Sequence, residues 1–254
     1  MTGATIDFNS DLGESFGWWQ RGADSVMLRC VSSANVACGF HAGDPTTMRH
    51  TVDAALGNGV AIGAHPGYPD LLGFGRRKLD VAAPDVRNYV LYQIGALAAF
   101  LASAGGRLHH VKPHGALYMA ALEEPAVARA IAEAVGEHDD TLSIYTLDGS
   151  EMWQAASKAG LRIVPEFFAD RPLRSDGSVV MFQWWDEFDA TPDQVAGRVK
   201  EFLETGAVTP ITGSPVPVRA DTICVHSDTP GADLLGPAVR TVLDQSHINV
   251  SAPG

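Results

Sequence analysis

A chain of 254 residues, 46% hydrophobic and 19% charged, can bury a sizeable core and suits one large α/β domain. Its formal charge of −12 argues against nonspecific binding to nucleic acid or anionic lipid, both of which need Lys and Arg against phosphate. Cys30, Cys38 and Cys224 show no CxxC spacing, which argues against a disulfide framework. No apolar run approaches the roughly 18 residues of a membrane span, and Asp7 and Asp11 stand where a signal peptide needs an apolar stretch. A cytoplasmic protein is therefore expected, with no membrane and no nucleic-acid partner.

Along the chain, short apolar runs alternate with longer amphipathic segments. Strands are expected at Thr5–Phe8, Ser33–Ala37, Val60–Ala64, His109–Lys112, Leu142–Leu147, Arg162–Glu166 and Thr222–His226. Helices are expected at Thr46–Leu56, Ala83–Ala104, Pro125–Val135, Glu151–Ala159, Pro192–Leu203 and Ala232–Leu243, with Gly67–Leu79 a loop. The alternation implies parallel βαβ units in a single domain spanning 1–254. Nearly every strand ends in a polar cluster. A closed barrel brings all strand C-termini around one mouth, whereas an open sheet gathers mainly those beside its switch point. A seven-stranded (β/α) barrel is therefore favoured.

Asp7, Asn9 and Asp11 alternate along the first strand and are expected to face the mouth, with Ile6 and Phe8 outward. Asp11 and Glu14 also fit a D-x-x-E capping box. His41 lies between glycines, and Asp44-Pro45 reads as a helix start, which makes Asp44 structural. His65 ends the third strand, Lys112 and His114 the fourth, and His226 and Asp228 the seventh, while His109 and His110 fall at the far end of their strand. Histidines at four strand ends beside carboxylates suit acid–base chemistry or a metal. No HExxH or other tight ligand spacing is present and a metal-free site would use the same residues, so the balance tips slightly against a required metal and none is assigned.

No P-loop occurs. Arg76 and Arg77 in a Gly-Phe-Gly-Arg-Arg turn could clamp a carboxylate or phosphate, or form a solvated charged loop. Glu166, Asp170 and Arg171 add charge at the sixth strand end. Cys38 reads as a buried inert thiol, and no GxSxG elbow points to a serine hydrolase.

The blocks NSDLGE from Asn9, ANVACGFHAGDP from Ala34, GAHPGYPD from Gly63, GFGRR from Gly73, KPHGALY from Lys112, PEFFADR from Pro165 and CVHSDTPGA from Cys224 resemble the LamB/YcsF family over nearly the whole chain. The resemblance implies a barrel of the glycoside hydrolase/deacetylase type. It also implies ATP-coupled opening of the lactam 5-oxo-L-proline to L-glutamate, with 5-oxoprolinase subunits B and C as partners and ATP as cosubstrate, bound here or on a partner. In that chemistry Asp11, His65, Lys112, His114 and His226 would be catalytic. Asn9, Glu14, His41, Arg76, Glu166, Asp170 and Asp228 would hold substrate or phosphate. Met119, Ser227 and the Met181–Phe188 stretch depart from the family pattern; the paired Trp184 and Trp185 there suit an interface anchor or packing over the rim. A stand-alone metal-dependent deacetylase or amidase, and a noncatalytic lactam-binding protein, are the alternatives.

Overall fold

The computed structural model describes residues 4–254. Its strands are β1 (Thr5–Leu12), β2 (Ser33–Ala37), β3 (Ala61–His65), β4 (His110–Val111), β5 (Ser143–Thr146), β6 (Arg162–Phe168), the short pair β7 (Ala207–Val208) and β8 (Val216–Pro217), β9 (Thr222–Cys224) and β10 (Asn249–Val250). The helices are α1 (Asp24–Met27), α2 (Pro45–Gly57), α3 (Ala83–Ser103), α4 (Gly115–Glu123), α5 (Pro125–His138), α6 (Glu151–Lys158), α7 (Pro192–Thr205) and α8 (Ala232–Gln245). Strands β1 to β6 and β9 lie side by side and parallel. β1 pairs with β2 on one side and β9 on the other, so the sheet closes into a seven-stranded barrel. β10 extends the N-terminal end of β1 outside that ring, and β7 and β8 form an antiparallel pair apart from it.

Local chemistry explains the helix boundaries. The Asp44 carboxylate accepts from the Thr46 and Thr47 N–H groups and Pro45 supplies the first turn of α2, as expected from Asp44-Pro45. Ser150 and Thr191 cap α6 and α7 in the same manner, and Gly206 closes α7 at φ +66. The outward faces of the strands, including Phe8, Val36, Ile62 and Val111, are buried with Val52, Val90, Ile94 and Leu97 of the surrounding helices. No helix among the described residues is long and apolar enough to cross a membrane.

The barrel interior is polar. Asp7, Asn9 and Asp11 do point inward along β1, but the expectation that all three line the mouth is corrected. Asp7 accepts from Ser32, Ser33 and Thr222 at 2.6, 2.7 and 2.6 Å and forms the floor. Burial raises its pKa although those hydroxyls oppose the shift. Asn9 sits one layer up, bonded to Thr222 and Asn35. Only Asp11 reaches the mouth. No helix begins at Asp11–Glu14, so the capping-box reading fails: β1 runs on to Leu12, and Gly13 turns the chain at φ +70.

That turn is held by Asp24 in α1, whose Oδ2 accepts from the Gly13 N–H at 2.8 Å. Burial pushes the Asp24 carboxyl up to about 6. A carboxyl that binds its proton more tightly in the folded chain stabilises most below its unfolded value and loses that contribution as pH rises through the folded one. Asp24→Asn is therefore expected to gain on the wild type between about pH 4 and 7, by up to about 3 kcal/mol. Melting temperatures across that range check this; a difference independent of pH would contradict it.

Candidate active site

Every strand end that carries a polar cluster in the sequence, except that of β5, contributes to one mouth. Asp11, Glu14, His41, His65, Lys112, His114, Glu166, Asp170 and His226 are all buried there. They fall into two adjoining groups and a dyad.

The first group surrounds Lys112. Its Nζ lies 3.1 Å from Asp11 Oδ1 and 3.0 Å from Glu166 Oε2, and it donates to Asn9 Oδ1 at 3.3 Å and contacts Cys224 Sγ at 3.1 Å. Asn35 donates to both Asn9 Oδ1 and Asp11 Oδ1, while the Tyr118 hydroxyl donates to Glu166 Oε1 at 2.8 Å. Burial alone would lower the Lys112 pKa, but Asp11, Cys224 and Glu166 outweigh it and hold the ammonium charged. Burial likewise works against the Asp11 charge, yet His65 and Lys112 keep its carboxyl well below the usual range.

The second group joins Glu14, His41, His65 and His114. His65 Nδ1 donates to the Lys112 carbonyl at 2.7 Å and His114 Nε2 to the Phe74 carbonyl at 2.8 Å. His65 Nε2 faces Asp11 Oδ2 at 3.3 Å and His114 Nδ1 at 3.0 Å. Glu14 Oε1 approaches His114 Nδ1 at 3.3 Å and His41 Nε2 at 3.6 Å without a hydrogen bond, and both ring nitrogens of His41 lack partners. Burial, with Asp228 and Asp11 nearby, pushes the Glu14 carboxyl well up; burial with neighbouring His65 pushes His41 well down, and burial with His41 and His65 does the same to His114. The glycines beside these rings leave the room they occupy: at Gly75, φ +62, a methyl would press on both His114 and His41.

The dyad is His226 with Asp170. His226 Nδ1 donates to Asp170 Oδ1 at 2.9 Å, which leaves Nε2 3.6 Å from Asp11 Oδ2. Asp170 also accepts from Arg171, the Thr229 hydroxyl and the His226 N–H. Burial opposes its ionisation, but Arg171 and His226 prevail and lower its pKa strongly. The Asp170–Arg171 neighbours are thus buried structure rather than surface charge.

Farther out, Arg76 pairs with Asp228 at 2.9 Å, and Arg21 joins them at 3.0 Å. Arg77 does not share the site; it turns away to Asp70. His110 lies inside the barrel below the mouth, hydrogen-bonded to Asn35. Cys38 is buried and its thiol is pushed up to about 12 by that burial, consistent with an inert role. Asn35, Tyr118, Cys224 and Thr229 join the site beyond the residues expected from sequence. Asn35 has a usable signal, since it alternates inward on β2 opposite Asp11; Tyr118 rides on α4, a helix that carries no amphipathic pattern.

A cavity of about 10 Å³, lined in part by Asp11, His65, Lys112 and His226, lies beneath Met181 and Phe182. An outer cleft of about 260 Å³ reaches Glu14 and His41 from the side of Trp19, Leu72 and Phe74. Of the paired tryptophans, Trp184 packs buried over the rim against the Arg171 guanidinium, while Trp185 stands exposed. Among the described residues, two groups could hold a metal ion: Glu14, His41, His65 and His114, and Asp11, Cys224 and His226.

A closed parallel barrel whose mouth buries carboxylates, imidazoles and one lysine has the makings of a hydrolytic acid–base site. The chain belongs to the LamB/YcsF family, whose profile matches residues 6–253. It is 48% identical over 248 residues to a protein from Syntrophobacter fumaroxidans named as the A subunit of 5-oxoprolinase, covering 98% of both chains. It is 49% identical over 247 residues to the protein of that name from Limosilactobacillus fermentum, covering 97% of this chain and 98% of the other. The crystal structure of a lactam utilization protein from Thermus thermophilus superposes with a TM-score of 0.92 at 44% identity, covering 98% of this chain and all of that one. A polysaccharide deacetylase from Bacillus cereus shares the fold at a TM-score of 0.51 and 11% identity, covering 100% of this chain and 93% of that one.

Proposed function

We propose that the chain is the A subunit of an ATP-dependent 5-oxoprolinase, acting on the cyclic amide of 5-oxo-L-proline in the cytoplasm together with subunits B and C. The observation that carries this reading is the full-length match to relatives bearing that name, joined to a mouth equipped for amide chemistry.

A lactam resists water because its amide is resonance-stabilised. Attack of the lactam oxygen on the γ-phosphorus of ATP would release ADP and leave a phosphorylated imidate. Water adds to its carbon, the C–N bond breaks with a proton delivered to nitrogen, and a second water cleaves the resulting acyl phosphate to L-glutamate and phosphate. His226 suits the proton transfers, because Asp170 fixes its Nδ1–H and leaves Nε2 free toward Asp11. Asp11, kept ionised beside Lys112, would order the attacking water, with His65 and His114 on its other side. Arg76 is the better anion clamp: it is partly exposed and paired with Asp228 alone, while Lys112 is buried between Asp11 and Glu166. Asn9, Glu14, His41, Glu166 and Asp228 would support substrate or phosphate around these groups. The cavity beneath Met181 and Phe182 is too small for a lactam, so that segment would lift during turnover. ATP would be bound across this mouth and a partner protein.

The test is to purify the chain with subunits B and C and follow glutamate and ADP release from 5-oxoproline and ATP. Equal amounts of both, lost when the chain is left out, are expected. Hydrolysis of acetylated sugars by the chain alone, without ATP and with no glutamate from the complex, would instead favour a stand-alone amidase.

A further inference from the structure

Two imidazole nitrogens face each other within this site, one from His65 and one from His114. The Lys112 and Phe74 carbonyls can only accept, so His65 must carry its proton on Nδ1 and His114 on Nε2. In the neutral rings the remaining nitrogens, His65 Nε2 and His114 Nδ1, both present lone pairs at 3.0 Å. Glu14 Oε1 is aimed at the same point, 3.3 Å from His114 Nδ1 and 4.0 Å from His65 Nε2, and has no hydrogen-bond donor. With both rings neutral and Glu14 ionised, three buried electron-pair donors converge with no hydrogen-bond donor among them, an arrangement that a cation at their centre would satisfy.

We propose that Glu14, His65 and His114 bind a divalent transition-metal ion, with zinc the best match. Zinc bonds imidazole nitrogen and carboxylate oxygen at about 2.0–2.1 Å, which in a tetrahedral site separates ligand atoms by about 3.3–3.4 Å. The separations of 3.0, 3.3 and 4.0 Å straddle that value. The two carbonyls that fix the tautomers are the usual outer partners of metal-bound histidine. His41 has a different part. Its ring stacks face to face on His114, centroids 3.7 Å apart and 2° from parallel. An ion in the plane of one ring cannot lie in the plane of the other, so His41 is not a good ligand. Its Nε2 lies 3.6 Å from Glu14 Oε1, beside the proposed ligands, and water or a substrate oxygen would complete the shell. Three protein ligands and one open position make a site able to polarise a carbonyl or phosphoryl oxygen.

This inference rests on ligand geometry and stands apart from the identity of the substrate. The full-length chain should be stripped with chelator, dialysed and titrated separately with zinc and cobalt. Metal content, melting temperature and the visible absorption of the cobalt form are the readouts. One equivalent per chain, a higher melting temperature and an absorption spectrum of a four- or five-coordinate cobalt site are expected. Glu14→Gln and His114→Gln should each weaken binding by about 100-fold or more, while Cys224→Ser, in the neighbouring donor group, should leave it unchanged. If either ligand variant fails to fold, the wild-type stoichiometry and cobalt spectrum still decide. No bound metal in the folded wild type, or binding abolished by Cys224→Ser and untouched by Glu14→Gln, would overturn the proposal. Metal binding by the isolated chain and glutamate release by the complex are measured separately, so one can fail while the other holds.

Discussion

Lys112→Met is expected to cost about 3–5 kcal/mol of stability and to reduce turnover of the assembled enzyme by about 10³-fold or more. The methionine fills nearly the same space, so the loss is electrostatic. With the ammonium gone, Asp11 and Glu166 remain as two buried carboxylates that had shared one cation at 3.1 and 3.0 Å. Leaving a buried charge unpaired is far more costly than never having had the pair. The sign of the pH dependence follows. Lys112 lowers the Asp11 pKa in the wild type, so that part of the stability is present above the unfolded carboxylate range and disappears as pH falls through the folded value. In the variant Asp11 takes up a proton at higher pH, which relieves the repulsion. The stability gap between wild type and variant should therefore narrow on acidification. Adding Glu166→Gln should recover part of the stability and none of the activity, which separates the structural role of the lysine from its role in keeping Asp11 ionised. Urea unfolding of the three proteins across pH, with glutamate release from the complex, reads all of this. Equal unfolding midpoints for wild type and Lys112→Met would remove the ion triad from the account of stability.

Much of the barrel is legible along the chain because its signals are local. Ser33–Ala37 matches β2 residue for residue, and Asp44-Pro45 opens α2 as its chemistry requires. The signal fails where structure depends on remote contact. α4 is apolar on most sides, with Ala116, Leu117, Tyr118, Ala120 and Ala121 buried, so no 3.6-residue stripe marks it. β4 contains only His110 and Val111, since Lys112 and His114 leave the strand to enter the mouth. The same division holds for the site. That histidines at four strand ends would meet follows from barrel closure alone. Which lone pair each one offers does not, because that is set by the carbonyls of Lys112 and Phe74, brought close by loops turning through Gly75 and Gly115 at positive φ. The depth of Asp7, the shielding of Asp170 by Arg171 and Thr229, and the seal of Met181 and Phe182 are likewise products of packing across the barrel.

The second large effect is expected one layer below the mouth, at a residue with no side chain to offer the site. Gly63 in β3 pairs with His110 in β4, and the imidazole lies across the glycine into the barrel. A methyl on Gly63 would overlap the ring at Cδ2, Nε2 and Cε1. The ring has nowhere to go: it stacks on Tyr145 with centroids 4.0 Å apart, and its Nε2 donates to Asn35 Oδ1 at 2.7 Å. Overpacking of a closed interior costs about 1–3 kcal/mol, and with these neighbours fixed the upper end of about 3 kcal/mol applies, so Gly63→Ala should lower the melting temperature by about 6–12 °C. Activity should fall as well, because Asn35 is the group that orients Asp11 and Asn9. A double-mutant cycle makes the cause testable. In a His110→Ala background the methyl meets open space, and Gly63→Ala should then cost much less than it does alone. If the cost is the same in both backgrounds, the clash with His110 is not what demands glycine here, and the backbone of β3 is.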